Sequence, residues 1–249
     1  MSGLSSPSTE DPALTTLTGQ RSLELETQLP DPPDDLRPML PRLARRLPAD
    51  DARLVDPTWG GLRVLADARG ARVQLLVDGV DVAERFPDVV VALRSLDLPG
   101  AILDGEIVVP RAGSRALAGA MRRHHAPIRP ATLVISDLLW VAGRALLSEP
   151  LDRRRDRLVG LAIVAPHIVA LAPAAGADAV LEVVALHGLL GVVAKRADSP
   201  YLPGVRSRLW TLVHVADAIA TMRHSPRPAE PVARPDIALL RTLPFGEDV

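Results

Sequence analysis

Residues 62–77 read Leu-Arg-Val-Leu-Ala-Asp-Ala-Arg-Gly-Ala-Arg-Val-Gln-Leu-Leu-Val. Two apolar-rich runs, Leu62–Ala66 and Arg72–Val77, flank the turn-forming Asp67-Ala68-Arg69-Gly70, a pattern that predicts a β-hairpin. Ala101–Val109 and Ala131–Leu139, dense in branched residues, predict buried strands, and Gly191–Arg196 and Leu209–Val215 predict two more. Helical spacing occurs at Pro87–Leu96, where proline suits a first turn and Val90, Val91, Leu93 and Leu96 share a face. It recurs at Pro150–Leu161, with a charged face, and at Ala177–Leu186, stopped near Gly188. A short helix is also expected over Leu36–Leu47, bent or restarted at Pro41. Strands outnumber helices and do not alternate with them as a doubly wound fold requires, so the class is α+β.

Outward from this core the composition changes. Residues 1–35 hold seven acids (Glu10, Asp11, Glu24, Glu26, Asp31, Asp34, Asp35) against Arg21 alone. That balance of −6, in a chain of net −1, leaves +5 on residues 36–249. Three regions are expected: an acidic disordered tail over 1–35, one domain over 36–223, and a Pro/Arg-rich tail over 224–249. Among 249 residues, 47% are hydrophobic and 24% charged, which excludes a wholly disordered or fibrous chain. No apolar run approaches the roughly 20 residues that cross a bilayer, and the polar N-terminus lacks a signal-peptide centre. The absence of cysteine excludes disulfides and thiolate metal sites, and the expected location is cytoplasmic. Aromatic residues are 2%, so few rings can stack on bases. Of 29 basic residues only Lys195 is a lysine, so any chemistry that needs a lysine amine must use it.

Five segments carry more specific information. They are Asp56-Pro57-Thr58-Trp59-Gly60-Gly61-Leu62-Arg63, Leu103-Asp104-Gly105-Glu106-Ile107-Val108-Val109 and Leu133-Val134-Ile135-Ser136-Asp137-Leu138-Leu139-Trp140. Gly188–Arg196 (Gly-Leu-Leu-Gly-Val-Val-Ala-Lys-Arg) and the stretch from Asp198-Ser199-Pro200-Tyr201 to Arg206-Ser207-Arg208-Leu209-Trp210 complete the set. In order and spacing they resemble the nucleotidyltransferase (adenylation) domain of ATP-dependent DNA ligases, particularly the bacterial end-joining type, from about Leu36 to His214. The resemblance implies a ligase-like nucleotidyltransferase fold, ATP-grasp-like, with two antiparallel sheets flanked by helices. It implies ATP and Mg²⁺ as cofactors, DNA or an end-joining repair protein as partner, and a place in DNA repair and recombination. In that family a lysine amine takes AMP from ATP as a phosphoramidate and passes it to a 5′-phosphate at a nick.

Carried over position by position, the frame persists while the chemistry is altered. Thr58 stands at the nucleophile's position and Gly60 where the motif's aspartate belongs; Gly61 and Arg63 are retained. Val77-Asp78-Gly79 is a shortened form of the family's Ser-Arg-Asn-Gly loop. Asp104, Gly105 and Glu106 are intact. Ser136 replaces the aromatic that would stack on adenine, Leu190 the metal-binding glutamate, and Leu212 and His214 two phosphate-binding lysines. The vestigial nucleotide-binding set is thus Arg63, Glu106, Ser136 and Lys195, with no intact metal site, and Arg196, Arg206 and Arg208 are candidate phosphate contacts. Loss of a covalent nucleophile costs on the order of 10⁶ in turnover elsewhere, and loss of a base-stacking ring roughly 1–3 kcal/mol. Lys195 matches a lysine the family has in addition to its nucleophile.

Other residues have two readings each. Arg63 and Glu106 either grip a ribose or phosphate or form a buried ion pair. Asp104 and Gly105 satisfy a turn or strand edge, and Tyr201 and Trp210 read as packing, with base platforms as the alternative. Arg153, Arg154, Arg155 and Arg157 read as a solvated helix face, with phosphate contact as the alternative. His124 and His125 beside Arg122 and Arg123 read as a loop, with metal or phosphate binding as the alternative. The 35 residues after His214 are too few for the oligonucleotide-binding barrel that follows this domain in family ligases, so no OB-fold domain is expected. The leading expectation is a ligase-like domain without adenylyltransferase activity, a pseudoenzyme that binds nucleic acid or protein in DNA repair. The alternatives are an active, divergent ATP-dependent ligase that joins nicks through AMP, and a folded remnant without ligand.

Overall fold

The computed structural model describes residues 36–48, 52–123, 126–172 and 176–222. The regions over 1–35 and 224–249, and His124 and His125, lie outside the described residues.

Two sheets stack face to face. The smaller has four strands in the order β1 (Leu40–Ala44), β11 (Arg206–His214), β10 (Gly191–Arg196), β2 (Arg53–Thr58). The larger runs β5 (Val80–Asp81), β4 (Gln74–Val77), β3 (Leu62–Asp67), β6 (Ala101–Val108), β7 (Thr132–Val141), β8 (Arg144–Ala145), with β9 (Ile168–Ala170) added to β7. The hairpin forms as β3 and β4, antiparallel, with Asp67 bonding Arg69 in the turn. Two pairs, β1–β11 and β7–β9, are parallel; the rest are antiparallel.

The apolar residues of β6 and β7 read as near-continuous runs because both faces are covered. On one face Val64, Leu103, Ile107, Leu133 and Ile135 pack beneath helices α1 (Pro87–Ser95) and α2 (Ser114–Arg123) through Phe86, Val89, Leu93 and Leu117. On the other, Leu65, Ile102, Leu139 and Trp140 meet Val193, Tyr201 and Trp210 of the smaller sheet's side. The outer face of the smaller sheet, Val192 and Val213, is covered by α4 (Ala177–Leu186) and α5 (Val215–Met222) through Val180, Leu181, Val184 and Ala218. Helix α3 (Leu151–Gly160) lies at the side, where the two sheets meet.

Two expectations change. Leu36–Leu47 is not a helix: it contains strand β1, paired with β11. Pro38 and Pro41 both lack the donor a helix needs and disfavour helical geometry in the residue before them, whereas an edge strand accepts proline. Strand β2, not anticipated as an element, is an edge strand for the same reason and accommodates Pro57. Asp104 belongs to neither a turn nor a sheet edge: it is fully buried in β6, between β3 and β7. Gly105 follows it at a register shift where a Cβ would stand 2.2 Å from the Val134 carbonyl oxygen, so close backbone approach requires glycine there. Among the described residues no helix is long and apolar enough to cross a membrane.

Candidate functional site

The pairing of β2 with β10 places Thr58 opposite Gly191 and Asp56 opposite Val193. Alternation along both strands therefore turns Asp56, Thr58, Val193 and Lys195 toward the larger sheet. From that sheet β3 contributes Arg63, β6 Glu106 and β7 Ser136. Asp56, Thr58, Arg63, Glu106, Ser136 and Lys195 line one cleft of about 310 Å³, open solvent at its mouth included. Five of these six were singled out from the sequence.

Within the cleft, most polar groups are engaged with the protein itself. The Glu106 carboxylate accepts the backbone N–H of Trp59 at 3.0 Å and of Gly61 at 2.8 Å, and the Thr58 hydroxyl at 3.3 Å. Burial raises its pKa, against the pull of those two N–H groups. Arg63 sits directly across the strand pair from Glu106, yet its guanidinium pairs with Asp104 at 2.5 Å. The ion pair considered for Arg63 and Glu106 is thus made by Arg63, whose side chain is 31% exposed, with the buried Asp104. Tyr201 donates its hydroxyl to the same Asp104 at 2.8 Å and accepts the Met39 N–H at 2.9 Å, and its ring meets Trp210 edge-on.

Lys195 is 1% exposed. Its ammonium lies 2.9 Å from Asp56, donates to the Ser136 hydroxyl at 3.1 Å, and sits 4.4 Å from the centre of the Trp210 ring. Burial pushes the ammonium below the usual lysine range, with Asp56 opposing. Asp56 also receives Arg155 at 2.6 Å. Burial alone would raise the Asp56 carboxyl, but Arg155 and Lys195 outweigh it and hold the pKa at about 2. A depressed carboxylate stabilises the fold above its unfolded pKa, and that contribution is lost as pH falls through the folded value. The stability gap between the parent and Asp56→Asn should therefore shrink between about pH 4 and pH 2, by about 2 kcal/mol, in urea unfolding followed by circular dichroism.

Helix α3 corrects the reading of its arginines. Arg153 and Arg157 are exposed, but Arg154 and Arg155 are fully buried. Arg154 makes a two-pronged pair with Asp137 (2.9 and 2.8 Å) and donates to the carbonyls of Ser199 (2.9 Å) and Glu149. Arg155 crosses to Asp56 and to the Leu171 carbonyl, so α3 joins the larger sheet to β2 of the smaller. The signal was present in the sequence: Leu151, Arg154, Arg155 and Leu158 have the i, i+3, i+4, i+7 spacing of a buried stripe.

The remaining candidates lie apart from the cleft. Arg196 pairs with Asp198 (2.5 Å), Arg206 donates to the Pro41 carbonyl, and Arg208 is exposed on β11. Leu190 adjoins the turn after β2: a Cβ on Gly60, whose φ is +70°, would come within 3.0 Å of the Leu190 side chain. The donor set does not fit a divalent cation, since Glu106 is bonded to the Thr58–Gly61 turn and Leu190 offers no oxygen. No group of three or more His, Cys, Asp or Glu side chains among the described residues is arranged to hold one.

The family assignment follows from comparison with known proteins. The family described as "ATP dependent DNA ligase domain" matches residues 45–213. The chain belongs to the ATP-dependent DNA ligase family. DNA ligase C1 of Mycolicibacterium smegmatis is 35% identical to this ligase-family chain over 206 residues, covering 74% of the chain and 59% of that protein. DNA ligase 1 of Korarchaeum cryptofilum is 31% identical over 174 residues, 64% of the chain and 32% of that protein. The chain thus spans less than two thirds of these curated ligases. Among solved structures, mycobacterial DNA ligase D complexed with ATP and MES matches 73% of the chain and 60% of its own, at TM-score 0.59 and 28% identity. The ligase domain of M. tuberculosis LigD matches equally well, at TM-score 0.59 and 29% identity. The paired sheets with flanking helices are therefore the ligase nucleotidyltransferase architecture.

Proposed function

We propose that this chain is a ligase-fold module that associates with DNA in end joining and repair without forming an enzyme–adenylate of its own. One observation carries the reading: the chain's only amine side chain, Lys195, is buried and held by Asp56 and Ser136, while Thr58 stands where the resemblance puts the family's nucleophile. Lys195 lies four residues along β10 from Gly191, the partner of Thr58, a separation of about 13 Å between backbones. Ser136, with no ring, offers a base nothing to stack on.

The link to DNA rests on the relatives, which are named DNA ligases and include the multifunctional non-homologous end joining protein LigD of Mycobacterium bovis. The mildly basic charge of residues 36–249 and a cytoplasmic location suit this role. A second reading, an active and divergent ligase, is favoured by the convergence of Arg63, Glu106 and Lys195 on one cleft and by the same names. A folded remnant without ligand is the third.

Titration of a nicked 5′-phosphorylated duplex at several salt concentrations separates them. The proposal expects binding that weakens steeply with salt and no sealing with ATP and Mg²⁺. Sealing that disappears in Thr58→Ala or Lys195→Met would establish the active ligase, and no binding at low salt would leave the remnant.

A further inference from the structure

Among the described residues, strand β1 ends the smaller sheet, with β11 as its one neighbour. This edge is strongly basic. Residues 36–48 contain four arginines and no acid, and residues 199–216 contain two arginines and no acid. Arg42, Arg45, Arg46, Arg206 and Arg208 are all exposed, and none of the five joins an ion pair among the described residues. Beside them Leu43 is 65% exposed. Like charges gathered with no ion-pair partner among the described residues raise the local potential and favour an anionic occupant.

We propose that this occupant is the chain's own acidic segment, residues 1–35, which makes the basic edge a self-covered polyanion site. The proposal stands apart from the reading of the cleft. The segment carries −6 and joins the domain at Leu36, four residues before β1 begins. Asp31, Asp34 and Asp35 lie next to that junction. Leu23-Glu24-Leu25-Glu26 alternates apolar and acidic residues, as β1 alternates Leu43 with Arg42. Tethering makes the encounter intramolecular, at an effective concentration in the millimolar range, so weak pairings suffice for occupancy at low salt. The opposing charges are screened once the Debye length falls to about 3 Å at 1 M salt. An external polyanion such as DNA then competes with the segment for the same arginines.

The absence of cysteine from the 249 residues allows a direct test in the whole of this chain. A spin label on Thr27→Cys should broaden the amide resonances of Arg206–Arg208 in about 50 mM salt and leave them sharp at about 1 M. The same label on a chain whose seven acids of residues 1–35 are changed to Asn or Gln should broaden none of them. In a second arm, the neutralised chain should bind the nicked duplex about tenfold more tightly than the parent at low salt, the difference vanishing at high salt. Unbroadened β11 amides at low salt, or broadening that persists in the neutralised chain, overturn the proposal. A chain that binds no DNA in either form, yet shows the salt-dependent broadening, contradicts the DNA-associated reading and leaves the self-covered edge standing.

Discussion

Replacing Arg154 with alanine is expected to destabilise the domain by about 3–5 kcal/mol, because it strands a carboxylate with no solvent access. Arg154 and Asp137 are both 0% exposed, and the guanidinium also satisfies two carbonyls that anchor the start of α3 and the segment before Tyr201. A domain's net stability is only about 5–15 kcal/mol, so this is a large fraction of the total. At about 2–4 °C per kcal/mol for a domain of this size, the melting temperature should drop by about 6–20 °C. Arg153→Ala, one residue away and exposed, should stay within about 0.5 kcal/mol of the parent. Changing both partners, Arg154→Met with Asp137→Leu, should recover much of the loss, since no buried charge is then unpaired. Equal, small effects of Arg153→Ala and Arg154→Ala in calorimetry would restore the solvated-face reading of the helix.

Restoring the missing amine alone is expected to fail. Thr58→Lys places an ammonium beside Glu106, where ion pairing competes with any reaction, and it leaves Ser136 and Leu190 as they are. The missing ring alone accounts for roughly 1–3 kcal/mol, or about 5- to 150-fold. Gly60 and Leu190 form a coupled obstacle. Gly60 has a left-handed φ of +70°, and a Cβ there would come within 3.0 Å of the Leu190 side chain, so an acid at 60 is strained and obliges Leu190 to shift. Incubated with radiolabelled ATP and Mg²⁺, Thr58→Lys should show no covalent label above background. The triple variant Thr58→Lys, Gly60→Asp, Leu190→Glu should label at least about tenfold more. Full labelling of Thr58→Lys by itself would show that the amine is the only missing part.

What the sequence made legible, and what it hid, follows from where the free energy lies. The hairpin, the strands at 101–108 and 191–196 and helices α1, α3 and α4 are legible as elements from spacing, although Val91, expected on the shared apolar face of α1, is 66% exposed and Val89 and Ala92 are buried instead. The segment around Leu40–Ala44 has apolar residues that fit helix and strand alike; Pro38 and Pro41 weigh against a helix, and a partner 166–169 residues away, in β11, completes the strand. Five cleft residues were legible from their motifs, but the partners that neutralise them were not. Asp56 pairs with a lysine far along the chain and with an arginine from α3, and Asp104 collects Arg63 and Tyr201 from separate elements. Arg154 and Arg155 illustrate the limit best: their charge argued for solvent, their position on the Leu151–Leu158 stripe argued for burial, and buried carboxylates decided the outcome.

The most direct measurement is the intact mass of the purified chain before and after incubation with ATP and Mg²⁺. An unshifted mass in both samples is predicted, because Thr58 supplies no amine and Lys195 is held by Asp56 and Ser136. A species heavier by one covalently bound adenylate, mapped by peptide sequencing to Thr58 or Lys195, would contradict the account.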